Sequence, residues 1–580
     1  MTGQVMGWWS LLEVDSQKQI DEMKQPDEMK QQETVGPWSS WGVLVVVLSV
    51  VGCGGQPEPP VTAEVRIVPQ VSQEVRGKLL DGALAVLGSL EKYDEESAAA
   101  QVFDRLNQWI HADPVGDEAA SAAWKADPLL DGLPAAYQPL CKPERLGSAV
   151  FDANRDVIAI RDQRWLADIA MSARGEALDD LDIATALFRW TIRSLAIESD
   201  PPLAATPESR GVRWFERGEI LLAGRASAAQ RSWIFLELLR QAGLHGVMLA
   251  TVDAEGGLRP WIPALISGGE AYLFEPTYGL PITRADGSGI ATARQAAADP
   301  AILDRLDQGG RPYPVAAADM QRLGVLVAAD PEALSRRMAL VEKNLVGAAT
   351  VRLAVDATAL GTLAAAALPE SDNAPSMSLW RFPFEVRRRR LAGDRATTAA
   401  VARELAGFAV AMDQGGGTRG SGLRGRRTIR PLYAGRLREF RGELDGPEGA
   451  KKAYLMARPS RAVLNDLLKQ VPEAQRDAVQ RLYEQMKEDA TYWLGVVTLA
   501  EEDYETAIDY LGRMTLEASP DGRWAAAARL NLATAKVGVG ATAEAIALLN
   551  EDRSPQRFGS RLRAAELAES AEKNRAEVGN

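Results

Sequence analysis

Across residues 224–280 the apolar positions change period twice. Ile234, Leu238 and Leu239 recur at helical spacing, and Gly243 follows where a helix C-terminal cap belongs. Residues 247–252 are then a short apolar run, residues 253–257 (Asp-Ala-Glu-Gly-Gly) carry turn chemistry, and two more apolar runs at 261–266 and 271–274 are split by Ser267-Gly268-Gly269. The pattern predicts one buried helix, a strand and a hairpin. Helical periods precede it at 75–90, at 98–110 with Phe103, Leu106 and Ile110 on one face, and at 182–195 with Ile183, Leu187 and Trp190. Beyond it, residues 323–329, 331–345 and 350–355 alternate strand, helix and strand, and residues 377–386 add an extended run, which together predict a small α/β unit.

From residue 487 onward the pattern is almost wholly helical, and two segments align. Gly495 of Leu494-Gly495 is followed twelve residues later by Ala507-Ile508 and then Leu511, while Ala533 of Leu532-Ala533 is followed twelve later by Ala545-Ile546 and then Leu549. With Tyr504 before the second helix of the first unit and Pro520 after it, this spacing resembles tetratricopeptide repeats. The 38-residue offset between units is slightly long for that family and predicts a loop insertion. Residues 435–459 read as helix, Gly/Pro turn and helix, a degenerate further repeat. Such stacks leave a concave face that binds peptide segments, or else brace the rest of the chain, and both readings stand.

The apolar run at 41–53 is shorter than the ~20 residues of a membrane-spanning helix and has the length of a signal-peptide core. Its end, Val50-Val51-Gly52-Cys53, resembles a bacterial lipoprotein signal, which implies Cys53 as the lipid-bearing mature N-terminus. A tether rich in Gly and Pro follows, and Met29-Lys30 would open a signal of ordinary length. The alternative is a buried apolar element with an incidental cysteine.

Composition narrows the chemistry. The 580 residues are 46% hydrophobic and 25% charged, with net charge −13, so bulk electrostatics give no reason to expect nucleic acid. Two Cys and two His leave no Cys/His zinc cluster and no disulfide framework; no metal or cofactor is expected, and Cys141 reads as a small buried apolar residue. The four arginines at 387–390 read as a solvated helix face or internal ion-pair donors. Residues 420–425 match GxGxxG, but no strand precedes them and Pro431 follows, which predicts a flexible loop.

The helix, strand and hairpin of 224–280 carry three signatures: Leu238-Leu239-Arg240 with Gly243, Pro260-Trp261, and Glu275-Pro276-Thr277. They resemble the transglutaminase-like (papain-like) superfamily, where a helix starting at a catalytic Cys ends in Leu-Leu-Arg-x-x-Gly, a strand opens on His-Ala-Trp and the next closes on Asp-Pro-Thr. The resemblance assigns the Cys position to Ala228, the His position to Arg259 and the Asp position to Glu275. That chemistry needs a thiolate, an imidazole to activate it and a carboxylate to orient the imidazole; a methyl group and a guanidinium supply neither nucleophile nor base. The resemblance therefore implies the fold and a vestigial triad. One catalytic alternative remains: Ser227 adjoins the vacated position, Ser232 lies about one turn further along the helix, and His245 at the helix-to-strand turn could act as base.

The expected fold class is α+β: a degenerate transglutaminase-like core, a small α/β unit and a C-terminal all-α tetratricopeptide-like array. Expected boundaries are an N-terminal extension and signal at 1–52, a tether at 53–70, helices and core at 71–320, the α/β unit at 321–400, a linker with degenerate hairpins at 401–486 and repeats at 487–580. The expected function is a non-catalytic lipoprotein of the bacterial envelope, outside the cytoplasm. It would bind proteins or peptides through its repeats and a membrane through Cys53. The alternatives are an amide hydrolase or acyl transferase with a displaced serine, and a purely structural envelope protein.

Overall fold

Two helices packed on one another open the described chain, α1 (Gln73–Leu87) and α2 (Glu95–His111). Leu106 and Ile110 of the predicted stripe are buried, with Phe103 half-buried against the same core. The structure is a computed structural model describing residues 73–93, 95–113, 123–198, 214–308, 310–371, 374–413 and 428–578. Cys53, the apolar run before it and the Gly/Arg-rich stretch at 415–427 lie outside the described residues.

Next come α3 (Asp156–Arg174), α4 (Asp180–Ser194), β1 (Ala196–Glu198), α5 (Arg217–Ala223), β2 (Arg225–Ser227) and α6 (Ala228–Gln241). Strands β1 and β2 pair in parallel, which joins the end of α4 to the start of α6. Ser227 caps α6 with a capping box: it accepts from Gln230 N (3.2 Å) and donates its own N–H to Gln230 Oε1 (2.9 Å). A cap contributes about 1 kcal/mol. Trp233, Ile234, Phe235, Leu236, Leu238 and Leu239 are all buried, at roughly 2 kcal/mol each, so packing rather than capping fixes this helix. It is buried on every side because α3 and α4 cover one side and the sheet the other.

The strands β3 (His245–Val252), β4 (Leu258–Ser267), β5 (Glu270–Glu275), β6 (Leu280–Pro281), β7 (Leu323–Val327) and β8 (Met377–Leu379) form one sheet in the order β6-β5-β4-β3-β7-β8. The β3–β4 turn is closed by Asp253, whose carboxylate accepts from Glu255 N (3.1 Å) and Gly257 N (2.6 Å). Gly268 and Gly269 take φ of +58° and +77° at the tip of β4–β5, a conformation that a two-residue hairpin favours and a Cβ would strain.

Three expectations are corrected here. The α/β unit at 321–400 is not separate: β7 pairs antiparallel with β3 from Met248↔Leu326 to Thr251↔Leu323, so residues on either side of position 321 share one sheet. Residues 350–355 form no strand, because Leu353 N (2.7 Å) and Ala354 N (2.8 Å) donate to the Glu342 carboxylate of α7 (Arg336–Asn344) instead of to a neighbouring strand. The extended run at 377–386 stops at Leu379, beyond the helix α8 (Ala357–Ala366), and gives way to helix α9 (Arg381–Leu391). Pro383 sits in the first turn of α9, where its missing N–H costs nothing, and Glu385 pairs with Arg388 and Arg389 one turn on.

The C-terminal part stacks α10 (Pro431–Phe440), α11 (Ala450–Met456), α12 (Arg461–Lys469), α13 (Glu473–Ala500), α14 (Tyr504–Ile508), a π-helical segment (Asp509–Glu517), α15 (Ala525–Gly538), α16 (Thr542–Asn550) and α17 (Arg557–Val578). Small residues let these helices approach closely: a Cβ on Gly495 would meet Leu511 at 2.6 Å, and Ala507, Ala545 and Leu549 are buried. The long offset includes more than a loop, since the second helix of the first unit widens into the π-helical segment. Nor is the array a free-standing module. Trp493 fills the space beside Gly224, Arg436 donates to Leu221 O (2.6 Å) and Asn531 to Arg193 O (3.1 Å). Val71–Asn580 is accordingly one unit in which a shared core runs from Leu80 to Ala564, rather than four segments with boundaries at 320, 400 and 486.

Candidate functional site

Ala228 is the first residue of α6, and its methyl group is half-buried. Both neighbouring hydroxyls are committed to their own helix. Ser227, 2% exposed, holds the cap, and Ser232 Oγ donates to Ala228 O at 2.8 Å. His245 is exposed and starts β3, past the far end of α6. From Ser232 to Gln241 the helix rises about 13 Å at 1.5 Å per residue, so the imidazole is remote from both serines. Arg259 is exposed on β4 opposite Thr251.

Glu275, by contrast, is buried at the end of β5 and fully engaged. The Tyr313 hydroxyl donates to it through a short hydrogen bond, Thr277 N donates at 2.8 Å, and Trp261 Nε1 donates to Tyr313 Oη at 2.9 Å. Burial raises the Glu275 carboxyl above its usual range, and burial together with the facing carboxylate pushes the Tyr313 phenol well above 10. The carboxylate therefore positions a phenol and an indole, with no imidazole.

The space between the start of α6 and the end of β5 is occupied by the chain itself. Arg231, 1% exposed, donates to Leu195 O (2.9 and 2.6 Å), Pro276 O (2.9 Å) and Gln556 Oε1 (2.8 Å). All of these acceptors are neutral, and burial lowers the guanidinium pKa to about 9. Around it the C-terminal segment seats closely: the Phe558 and Tyr278 rings lie 6.0 Å apart, and a Cβ on Gly559 would stand 1.8 Å from Tyr278 O.

A second cluster lies between α3, α5, α6 and α9. Arg217 pairs with Glu237 (3.3 Å) and Asp330 (2.5 Å), and Arg387 with Glu216 (2.8 Å) and Glu332 (3.3 Å). Burial alone would raise the Asp330 carboxyl, but Arg217 and Arg387 hold it below its usual range. The cavity among these side chains measures about 10 Å³, room for about one water and no substrate. These arginines are internal ion-pair donors, with Arg390 likewise on Glu219 at 2.9 Å. The thiol of Cys141 is buried, and that burial pushes its pKa up to about 12, which leaves it unreactive near neutral pH. Among the described residues no group of His, Cys, Asp and Glu is placed to hold a metal ion, and no helix is long and apolar enough to cross a membrane.

The chain matches no protein-family model, no curated protein and no solved structure. Its site is therefore read from its own geometry. Arg231, Tyr313 and Gln556 escaped the sequence reading. Arg231 left one trace, a cation two residues ahead of the apolar run 233–236; its partners at 195, 276 and 556 come together only in the fold.

Proposed function

We propose that this chain is a non-catalytic scaffold of the bacterial envelope, lipid-anchored through Cys53, with a pseudo-transglutaminase domain braced by tetratricopeptide-like repeats that hold a protein or peptide partner. One observation carries the non-catalytic part: at the start of α6 a methyl group stands at the nucleophile position, and Ser227 and Ser232 both bond to the helix itself, about a helix length from His245. Arg231 and Gln556 closing the same cleft supports it further.

The test is amide hydrolysis and amine incorporation on peptide substrates by the whole chain, beside Ser227→Ala, Ser232→Ala and His245→Ala. No turnover is expected from any of them, with Ser227→Ala losing about 1 kcal/mol of stability through its cap. Turnover that either serine change abolishes would overturn the reading. The anchor is tested separately by fatty-acid labelling, where the parent chain should take up label and Cys53→Ser none.

The purely structural reading draws on a different observation. The helices whose faces would line a repeat groove, α13 and α15, spend Trp493 and Asn531 on the chain's own core. A partner would therefore meet the outer helices of the stack.

A further inference from the structure

On that outer side, the segment spanning α11 and α12 is locally basic. It carries five basic residues, Lys451, Lys452, Arg458, Arg461 and Lys469, against Asp466 alone, in a chain of net charge −13. Lys451 pairs with Glu501 and Lys469 with Asp466, while Lys452 and Arg461 are exposed and form no ion pair among the described residues. Between these cations two large apolar side chains face solvent, Leu455 at 48% and Val463 at 59% exposure. Lys452 and Leu455 are three residues apart on the same face of α11. Every residue of α12 stays at least partly exposed, although Leu464, Leu467 and Leu468 form an apolar stripe along it.

We propose that this α11–α12 ridge rests on a lipid surface bearing anionic headgroups. Positive charge on an acidic protein complements such a surface, and the isolated leucine and valine reach into the acyl boundary without offering the continuous groove that a folded partner needs. The proposal extends the anchored-scaffold reading: from Cys53 to α1 the chain spans at most about 70 Å fully extended, so a lipidated Cys53 would keep the body within that distance of the leaflet. It is tested without the anchor, so that either idea can fail alone.

The body from Val71, a unit with its own core, is sedimented with vesicles of phosphatidylethanolamine and phosphatidylglycerol and with vesicles of phosphatidylcholine. Binding is expected to the first only and to weaken with salt. Lys452→Glu with Arg461→Glu should weaken it at least about tenfold, and Leu455→Glu with Val463→Glu comparably, with melting unchanged; Arg174→Glu with Lys343→Glu, a charge change equal to that of the first pair at exposed sites on α3 and α7, should leave it intact. Equal binding to both vesicle types, or α11–α12 variants that bind like the parent, overturns the proposal. So does a body that ignores lipid but is retained by polyglutamate, which would indicate an acidic polypeptide, or one that dimerises through Val463.

Discussion

Gly224 ends α5 in a left-handed conformation, φ +63°, and the indole of Trp493 lies where its Cβ would be, at 2.1 Å. Two costs add on Gly224→Ala. The conformation strains any L side chain by roughly 1–2 kcal/mol, and the extra carbon overpacks a filled contact by 1–3 kcal/mol. The expected loss is about 3 kcal/mol in urea unfolding, with part recovered when Trp493→Leu makes room; no recovery would assign the whole loss to the backbone. Arg231 makes a related point at the scale of one side chain. A guanidinium with four hydrogen bonds and no carboxylate is held by geometry more than by charge.

Among the elements, α5 couples a cap to an ionisable group. Glu219 accepts from Glu216 N at 2.9 Å and pairs with Arg390; burial raises its carboxyl to about 7, against the opposing pull of Arg390. A carboxyl whose folded pKa lies above its unfolded value stabilises fully below the unfolded value, and that contribution is lost as pH rises through the folded one. Glu219→Gln keeps an acceptor for the cap and removes the titration. The parent should therefore lose stability relative to this variant between about pH 4.5 and 7, by up to a few kcal/mol. A stability difference that is flat with pH would place the carboxyl at its ordinary value. Elements held by their own pattern, such as α6 and the β4–β5 hairpin, were legible in the sequence, because a stripe of apolar residues or a Gly-Gly pair acts locally. Residues 350–355 and α9 were not. One has its backbone satisfied by the distant Glu342, and the other seats Arg387 and Arg390 against carboxylates from other elements.

For the whole molecule, the sequence pattern separated a core, an α/β unit and a repeat array, yet one hydrophobic cluster takes residues from all three. Boundaries looked plausible because composition changes along the chain, whereas the contacts that erase them, β3 with β7 and Trp493 with Gly224, join residues far apart. Removing residues 487–580 should therefore leave a poorly folded remainder rather than a stable core. It would expose the surface that Tyr492 and Trp493 cover and leave Arg231 without Gln556. In calorimetry the intact body should show no separate transition for residues 487–580. A truncated chain that melts cooperatively near the parent's temperature would refute this.

The seating of Gln556, Phe558 and Gly559 against Arg231 and Tyr278 also fixes an order of events. Gln556 lies 325 positions beyond Arg231, so a ribosome delivers α6 long before the residue that completes the interior around it. Until then the growing chain lacks that wedge, and the interior around α6 stays open.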